Sequence, residues 1–139
     1  MEYQKVKLLS GHEMPNFGLG TMQLTDAALI ADAITEQGYR MLDCASRYQN
    51  EHIVGEAITN VISRNKVYRE DLFIISKVWW DDVEDVEAAC RRSMEKLGVD
   101  YLDLYLVHWP VAQRVIPATT LGGEVTYERI KLPMYKIWA

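Results

Sequence analysis

Four residues of this 139-residue sequence have the types and spacing for proton chemistry: Asp43, Tyr48, Lys77 and His108. A carboxylate, a phenol, an ammonium and an imidazole together offer proton donors, proton acceptors and fixed charges that steer them. The first two lie in Gly38-Tyr39-Arg40-Met41-Leu42-Asp43-Cys44-Ala45-Ser46-Arg47-Tyr48-Gln49-Asn50-Glu51, where a glycine helix stop gives way to an apolar run, an acid, a tyrosine and a new helix start. Such strand-to-helix joins face solvent on a rigid support, so polar side chains there meet a ligand without breaking a core. Taken singly, each has a plain structural reading. A lysine ending a strand is often a solvated charge, a lone histidine after an apolar run is often a satisfied structural one, and strand-end aspartates commonly bond backbone amides.

The elements that must position these groups read as repeated β/α units. Lys5–Leu9 and Glu13–Pro15 flank the turn Ser10-Gly11-His12 and predict a small lid hairpin over 1–16. Phe17-Gly18-Leu19-Gly20-Thr21 predicts a short strand whose glycines permit close approach of a neighbouring strand or of a ligand. Thr25 can cap the following helix, with Asp26 in its first turn, and Leu29, Ile30, Ala33 and Ile34 repeat at helical spacing until Gly38. A second strand over 40–45 leads to a helix capped by Asn50, with Ile53, Val54, Ala57, Ile58, Val61 and Ile62 on one stripe.

Leu72–Ser76 is an uninterrupted apolar run, as expected of a parallel strand covered on both faces, and ends at Lys77. Asp81 or Asp82 then starts a helix carrying Val83, Val86, Ala89, Cys90, Met94 and Leu97, closed by Gly98, before a fourth strand over 102–107 ends at His108. The polar strand ends fall at 43, 77 and 108, about one βαβ repeat apart. Right-handed crossovers set consecutive parallel strands side by side, roughly 4.8 Å apart, so three successive strands deliver these side chains to one sheet edge beside Tyr48.

With 49% hydrophobic and 25% charged residues, the composition is that of one globular domain with a sizeable core. No window approaches the run of about 18 apolar residues needed to span a membrane, and the first residues lack a signal peptide's apolar centre, so a cytoplasmic location is expected. A net charge of −5 without any Lys/Arg run argues against a nucleic-acid partner. Cys44 and Cys90 make no metal spacing and read as reduced, buried thiols, while His12 and His52 look incidental.

Gly38-Tyr39-Arg40 leading to Asp43, Tyr48-Gln49-Asn50-Glu51, Ser76-Lys77-Val78-Trp79 and Leu106-Val107-His108-Trp109-Pro110 together resemble the aldo-keto reductase family, four segments matching in order and spacing from about Lys7 to Pro110. The resemblance implies an α/β fold, the (β/α)8 TIM barrel, represented here by its amino-terminal hairpin and about its first four β/α units. It implies reduction of aldehydes and ketones with NADPH by a tetrad at Asp43, Tyr48, Lys77 and His108. It further implies that Gly20, Thr21, Met22 and Asp43 lie near the nicotinamide ribose, and that Arg47, Trp79, His108 and Trp109 line the substrate opening. Met22 and Arg47 depart from residues frequent in the family, tryptophan at the first and histidine or valine at the second. Arg47 could favour an acidic substrate or be a solvated charge.

Carbonyl reduction needs a hydride, which no side chain supplies, and a proton donor at the oxygen where negative charge develops. Tyr48 can be that donor, because an ammonium at Lys77 favours the phenolate that remains. Asp43 would hold the ammonium in place, and a neutral His108 would donate a ring N–H to the carbonyl oxygen and orient it.

Residues 111–132 show no clear periodicity and, by the resemblance, form a loop over the active site; Pro133 then opens a helix over 133–139 that looks cut short. A barrel of this type takes roughly 250 residues, so this sequence reads as half of one, spanning four repeats over 17–110. The family's phosphate grip falls outside it, so the isolated chain is expected to bind NADPH poorly and to turn over little. Two further readings are a cofactor-binding regulatory subunit and a half-barrel that self-associates through open sheet edges.

Overall fold

The computed structural model describes residues 4–118 and 123–138. Four short parallel strands, β3 (Leu19–Gly20), β4 (Met41–Asp43), β5 (Phe73–Val78) and β6 (Leu104–Val107), form one sheet in sequential order. They follow β1 (Lys5–Lys7) and β2 (Glu13–Pro15), an antiparallel hairpin. Lys5, His12 and Glu13 of that hairpin share a cleft with Arg40, Phe73 and Asp103, at the amino-terminal ends of the strands. The expected lid therefore sits at the end of the sheet away from the tetrad; its first three residues lie outside the described residues.

Helices α1 (Ala27–Thr35), α2 (Glu51–Ser63) and α3 (Val86–Leu97) cover one face of the sheet. Ile30 and Ile34 of α1, Val54, Ala57, Ile58 and Val61 of α2 and Leu97 of α3 close on Leu42 and Ile74 as one core. Each fully buried aliphatic side chain contributes about 1.5–3 kcal/mol. Of the stripes expected at helical spacing, these residues are buried, Ile53 and Ile62 pack against the core from its margin, Val86 and Ala89 turn to a second core, Ala33, Cys90 and Met94 are only partly buried, and Leu29 faces outward. Gly55 marks the crossing of α2 and α3, where a Cβ would stand 2.5 Å from the Lys96 carbonyl oxygen. Gly98 ends α3 in the left-handed conformation at φ 65°, with its N–H bonded back to the helix.

Local details differ from the sequence expectations. Asp26, not Thr25, caps α1: its Oδ1 accepts from the N–H groups of Ala28 and Leu29 at 2.8 and 3.3 Å, so the side chain one residue nearer the helix takes the role. Asp85, rather than Asp81 or Asp82, caps α3 by accepting from Ala88 N–H at 3.0 Å. Val83 is buried, but it reaches a second core with Val78, Ala89, Ala112 and Ile137 from the loop before the helix. Asn50 occupies the cap position of α2 with no cap bond from its side chain, which is spent elsewhere. Cys44 is buried as expected, whereas Cys90 is only partly so; both are free thiols.

The segment over 111–132 is not without structure. It holds an antiparallel hairpin of β7 (Gln113–Ile116) and β8 (Thr126–Arg129), with residues 119–122 of the intervening stretch outside the described residues. Val115, Ile116 and Tyr127 are all exposed, so no buried face imposed an alternation that the sequence could display. Pro133 precedes a short 3-10 turn, Met134–Lys136, in place of the expected α-helix start; Ala139 lies outside the described residues. Among the described residues no helix is long and apolar enough to cross a membrane.

Candidate active site

The tetrad residues come together at the carboxyl-terminal end of the sheet, though not in the equivalent positions that equal spacing implied. Asp43 lies opposite Ile75, and Lys77 lies opposite Leu106 and two residues farther along β5. Side chains two residues apart share a face, so Lys77 reaches back toward β4. Its Nζ lies 2.6 Å from Asp43 Oδ1 and donates to the Cys44 carbonyl at 2.7 Å. The third ammonium donor points to the Tyr48 hydroxyl at 3.3 Å. The Lys77 side chain is 12% exposed, so burial and these fixed partners hold the ammonium in one place.

Tyr48 ends a 3-10 turn, Ser46–Tyr48, which Gln49 closes in the left-handed conformation at φ 58°. His108 follows β6 and packs edge-on to the Tyr48 ring, centroids 5.6 Å apart. Burial, and after it the charge of Lys77, holds the His108 imidazole below its ordinary protonation range. It is neutral at neutral pH. Its buried Nδ1 has no hydrogen-bond partner among the described residues, and a neutral ring carries one proton. Placing that proton on Nε2 avoids burying an unpaired N–H, which leaves Nε2–H as the donor.

Thr21 is buried, and its N–H and hydroxyl both donate to the Asp43 carbonyl, at 3.1 and 3.0 Å. The Asn50 amide group donates to the carbonyls of Thr21 and Leu24 at 2.7 and 2.8 Å, tying the loop after β3 to the start of α2. A Cβ built on Gly20 meets nothing within 4 Å, so space opens beside this loop. Met22 is exposed on it, and the Asp43 side chain is 39% exposed.

Aromatic rings form the other wall. Trp79 packs edge-on to His108 at 4.9 Å and to Trp109 at 6.1 Å, and the Arg47 guanidinium lies 5.4 Å over its face. Among the described residues Arg47 has no carboxylate at ion-pair distance, whereas its neighbour Arg92 is held by Asp82 at 2.6 Å. Arg47, Trp79, Trp80, Asp82, Arg92 and Tyr127 line a cleft of about 380 Å3. His12 is exposed in the β1–β2 turn and His52 is exposed on α2, both apart from this cluster.

Sequence reasoning missed three supporting residues. In the sequence Asn50 signals a helix cap and part of a family motif, and Ser46 and Ser76 signal only membership of motifs. Serine and asparagine are ordinary loop residues, and which backbone they bond depends on strands far away in the chain, so only the alternation that turns Ser76 away from Lys77 was available as a signal.

Residues 13–128 match the family model described as the aldo/keto reductase family. The chain is 48% identical to the uncharacterised oxidoreductase YtbE of Bacillus subtilis (strain 168), over 77% of this chain and 40% of that protein. It is 49% identical to an NADP-dependent D-sorbitol-6-phosphate dehydrogenase of Malus domestica, over 76% of this chain and 35% of that one. The crystal structure of an aldo-keto reductase of Bombyx mori in complex with NADP superposes with a TM-score of 0.75 at 36% identity, covering 82% of this chain and 40% of that one. The chain thus spans less than half the length of these relatives. With the sequential parallel sheet, the tetrad at its carboxyl edge and a family match over most of the sequence, the chain belongs to the aldo/keto reductase family, and its sheet is part of a (β/α)8 barrel.

Proposed function

We propose that the whole protein reduces small aldehydes and ketones to alcohols with NADPH. The observation that carries this reading is the array in which one buried ammonium, Lys77, touches the Asp43 carboxylate, the Tyr48 hydroxyl and the Cys44 carbonyl, beside a neutral imidazole. Tyr48 gives its proton to the carbonyl oxygen as negative charge grows there. The adjacent ammonium stabilises the phenolate left behind. Asp43 keeps that ammonium from turning away, and Nε2–H of His108 donates to the same carbonyl oxygen and fixes its orientation.

The residues present fit the nicotinamide end of the cofactor: open space beside Gly20, a Thr21–Met22 loop anchored by Asn50, and a half-exposed Asp43 carboxylate able to accept from a ribose hydroxyl. When bound, NADPH supplies the hydride. Trp79, Trp109 and His108 form the apolar side of the substrate opening, with Arg47 at its edge. The β7–β8 hairpin is tied to the loop after β5, where Gln113 N–H donates to the Trp80 carbonyl at 2.9 Å and Arg114 pairs with Glu84 at 2.6 Å.

The test is NADPH oxidation by the whole protein, with and without a simple aldehyde. Aldehyde-dependent oxidation with equivalent alcohol formed is expected. Cofactor binding without turnover on a panel of charged and neutral aldehydes would contradict the reading.

A further inference from the structure

Glu51 is 2% exposed at the first position of α2, and no cation lies within ion-pair distance of it among the described residues. A carboxylate in that setting is costly unless its oxygens are satisfied. Two hydroxyls do so: Ser76 donates to Oε1 at 2.6 Å and Ser93 donates to Oε2 at 3.3 Å. The positive end of α2 adds a favourable field at that position. The carboxylate therefore joins three elements, the start of α2, strand β5 and helix α3.

The place of these bonds in the chain gives them a consequence for the site. Ser76 precedes Lys77, and strand alternation turns its side chain to the helix side while Lys77 faces the tetrad. Ser46, two residues before Tyr48, donates its hydroxyl to the Lys77 carbonyl at 3.1 Å. Tyr48 thus stands between two bonds to the same dipeptide of β5: Ser46 to the Lys77 carbonyl on one side, and Ser76 to Glu51 on the other. One bond starts in the turn after β4 and the other at the first residue of α2, and both end on β5.

We propose that Ser46, Ser76 and Glu51 form a clamp of positioning residues that sets the separation between the Tyr48 hydroxyl and the Lys77 ammonium. None of the three touches the reacting atoms. They act by fixing the 46–51 segment against β5, so that the proton donor and the charge that activates it cannot drift apart. The inference rests on the reduction chemistry proposed above for its effect on rate, but its geometric content stands without it.

The test compares Ser76→Ala, which removes the hydroxyl from Glu51, with Glu51→Gln, which keeps a carbonyl oxygen able to accept from it. Crystal structures and steady-state kinetics of the whole protein with a neutral aldehyde are the two readouts. In Ser76→Ala the Tyr48 to Lys77 separation lengthens beyond hydrogen-bond distance and kcat falls about ten- to a hundredfold, with KM nearly unchanged. Glu51→Gln, with the Ser76 bond kept, retains most of the unsubstituted kcat and the original separation. An unaltered separation in Ser76→Ala, or a loss of thermal stability with kcat per folded molecule unchanged, would overturn the clamp. Absence of turnover in the unsubstituted protein would count against the reductase reading alone, since the two crystal structures still decide whether the clamp sets the distance.

Discussion

His108 shows how a residue's surroundings decide its chemistry. Its imidazole loses part of its hydration against Trp79 and Tyr48 and faces the Lys77 ammonium, and both effects disfavour the charged ring; the Asp43 carboxylate opposes them more weakly. Because the folded value lies below the unfolded one, the unfolded chain binds more protons as the pH falls through about 6.5, and folding stability declines with it. The contribution is fully present above the unfolded value and is lost on acidification until the folded ring also titrates. Replacing His108 by Asn should flatten the slope of unfolding free energy against pH in that window, as measured by urea denaturation. An unchanged slope would show that the ring is not shielded. That this residue meets Asp43, Tyr48 and Lys77 at one end of the sheet was legible from strand-end spacing and motif order. That Lys77 reaches back two residues to Asp43, and spends its other donors on the Cys44 carbonyl and Tyr48, was not, because register depends on how strands pair and not on their own sequences.

At the scale of elements, the site stands on helices that pack without slack. Gly55 lets the backbone of α3 approach α2 so closely that an added Cβ would overlap the carbonyls of Lys96 and Leu97 at 2.5 and 2.8 Å. Backbone cannot rotate out of the way as a side chain can, so Gly55→Ala should cost about 1–3 kcal/mol through overpacking, despite alanine's better helix propensity. Urea denaturation measures it, and a stabilised variant would contradict the packing account. The sequence pattern located α1, α2 and the four parallel strands because their buried stripes repeat at 3.6 or run unbroken. It misplaced the start of α3 because three aspartates, 81, 82 and 85, compete for one cap and only geometry selects Asp85. The β7–β8 hairpin escaped notice for the opposite reason, since its strands are exposed on both faces and carry no periodic signal.

For the molecule as a whole, the sheet has an outer strand at each side, β3 and β6, with no further strand paired to either among the described residues. Leu106 on β6 is 37% exposed, so apolar surface accompanies the unpaired backbone. Residues 1–139 taken alone should therefore self-associate with rising concentration, and sedimentation showing a monodisperse monomer would refute this. The same sheet brings the tetrad to one rim, where one ammonium serves a carboxylate and a phenol together. The most direct test of that central claim is the rate of aldehyde reduction by the Tyr48→Phe form of the whole protein, with NADPH binding measured alongside. Loss of the phenol should lower kcat about a hundredfold or more while leaving cofactor binding intact. Turnover close to that of the unsubstituted protein would mean that the proton comes from somewhere other than Tyr48.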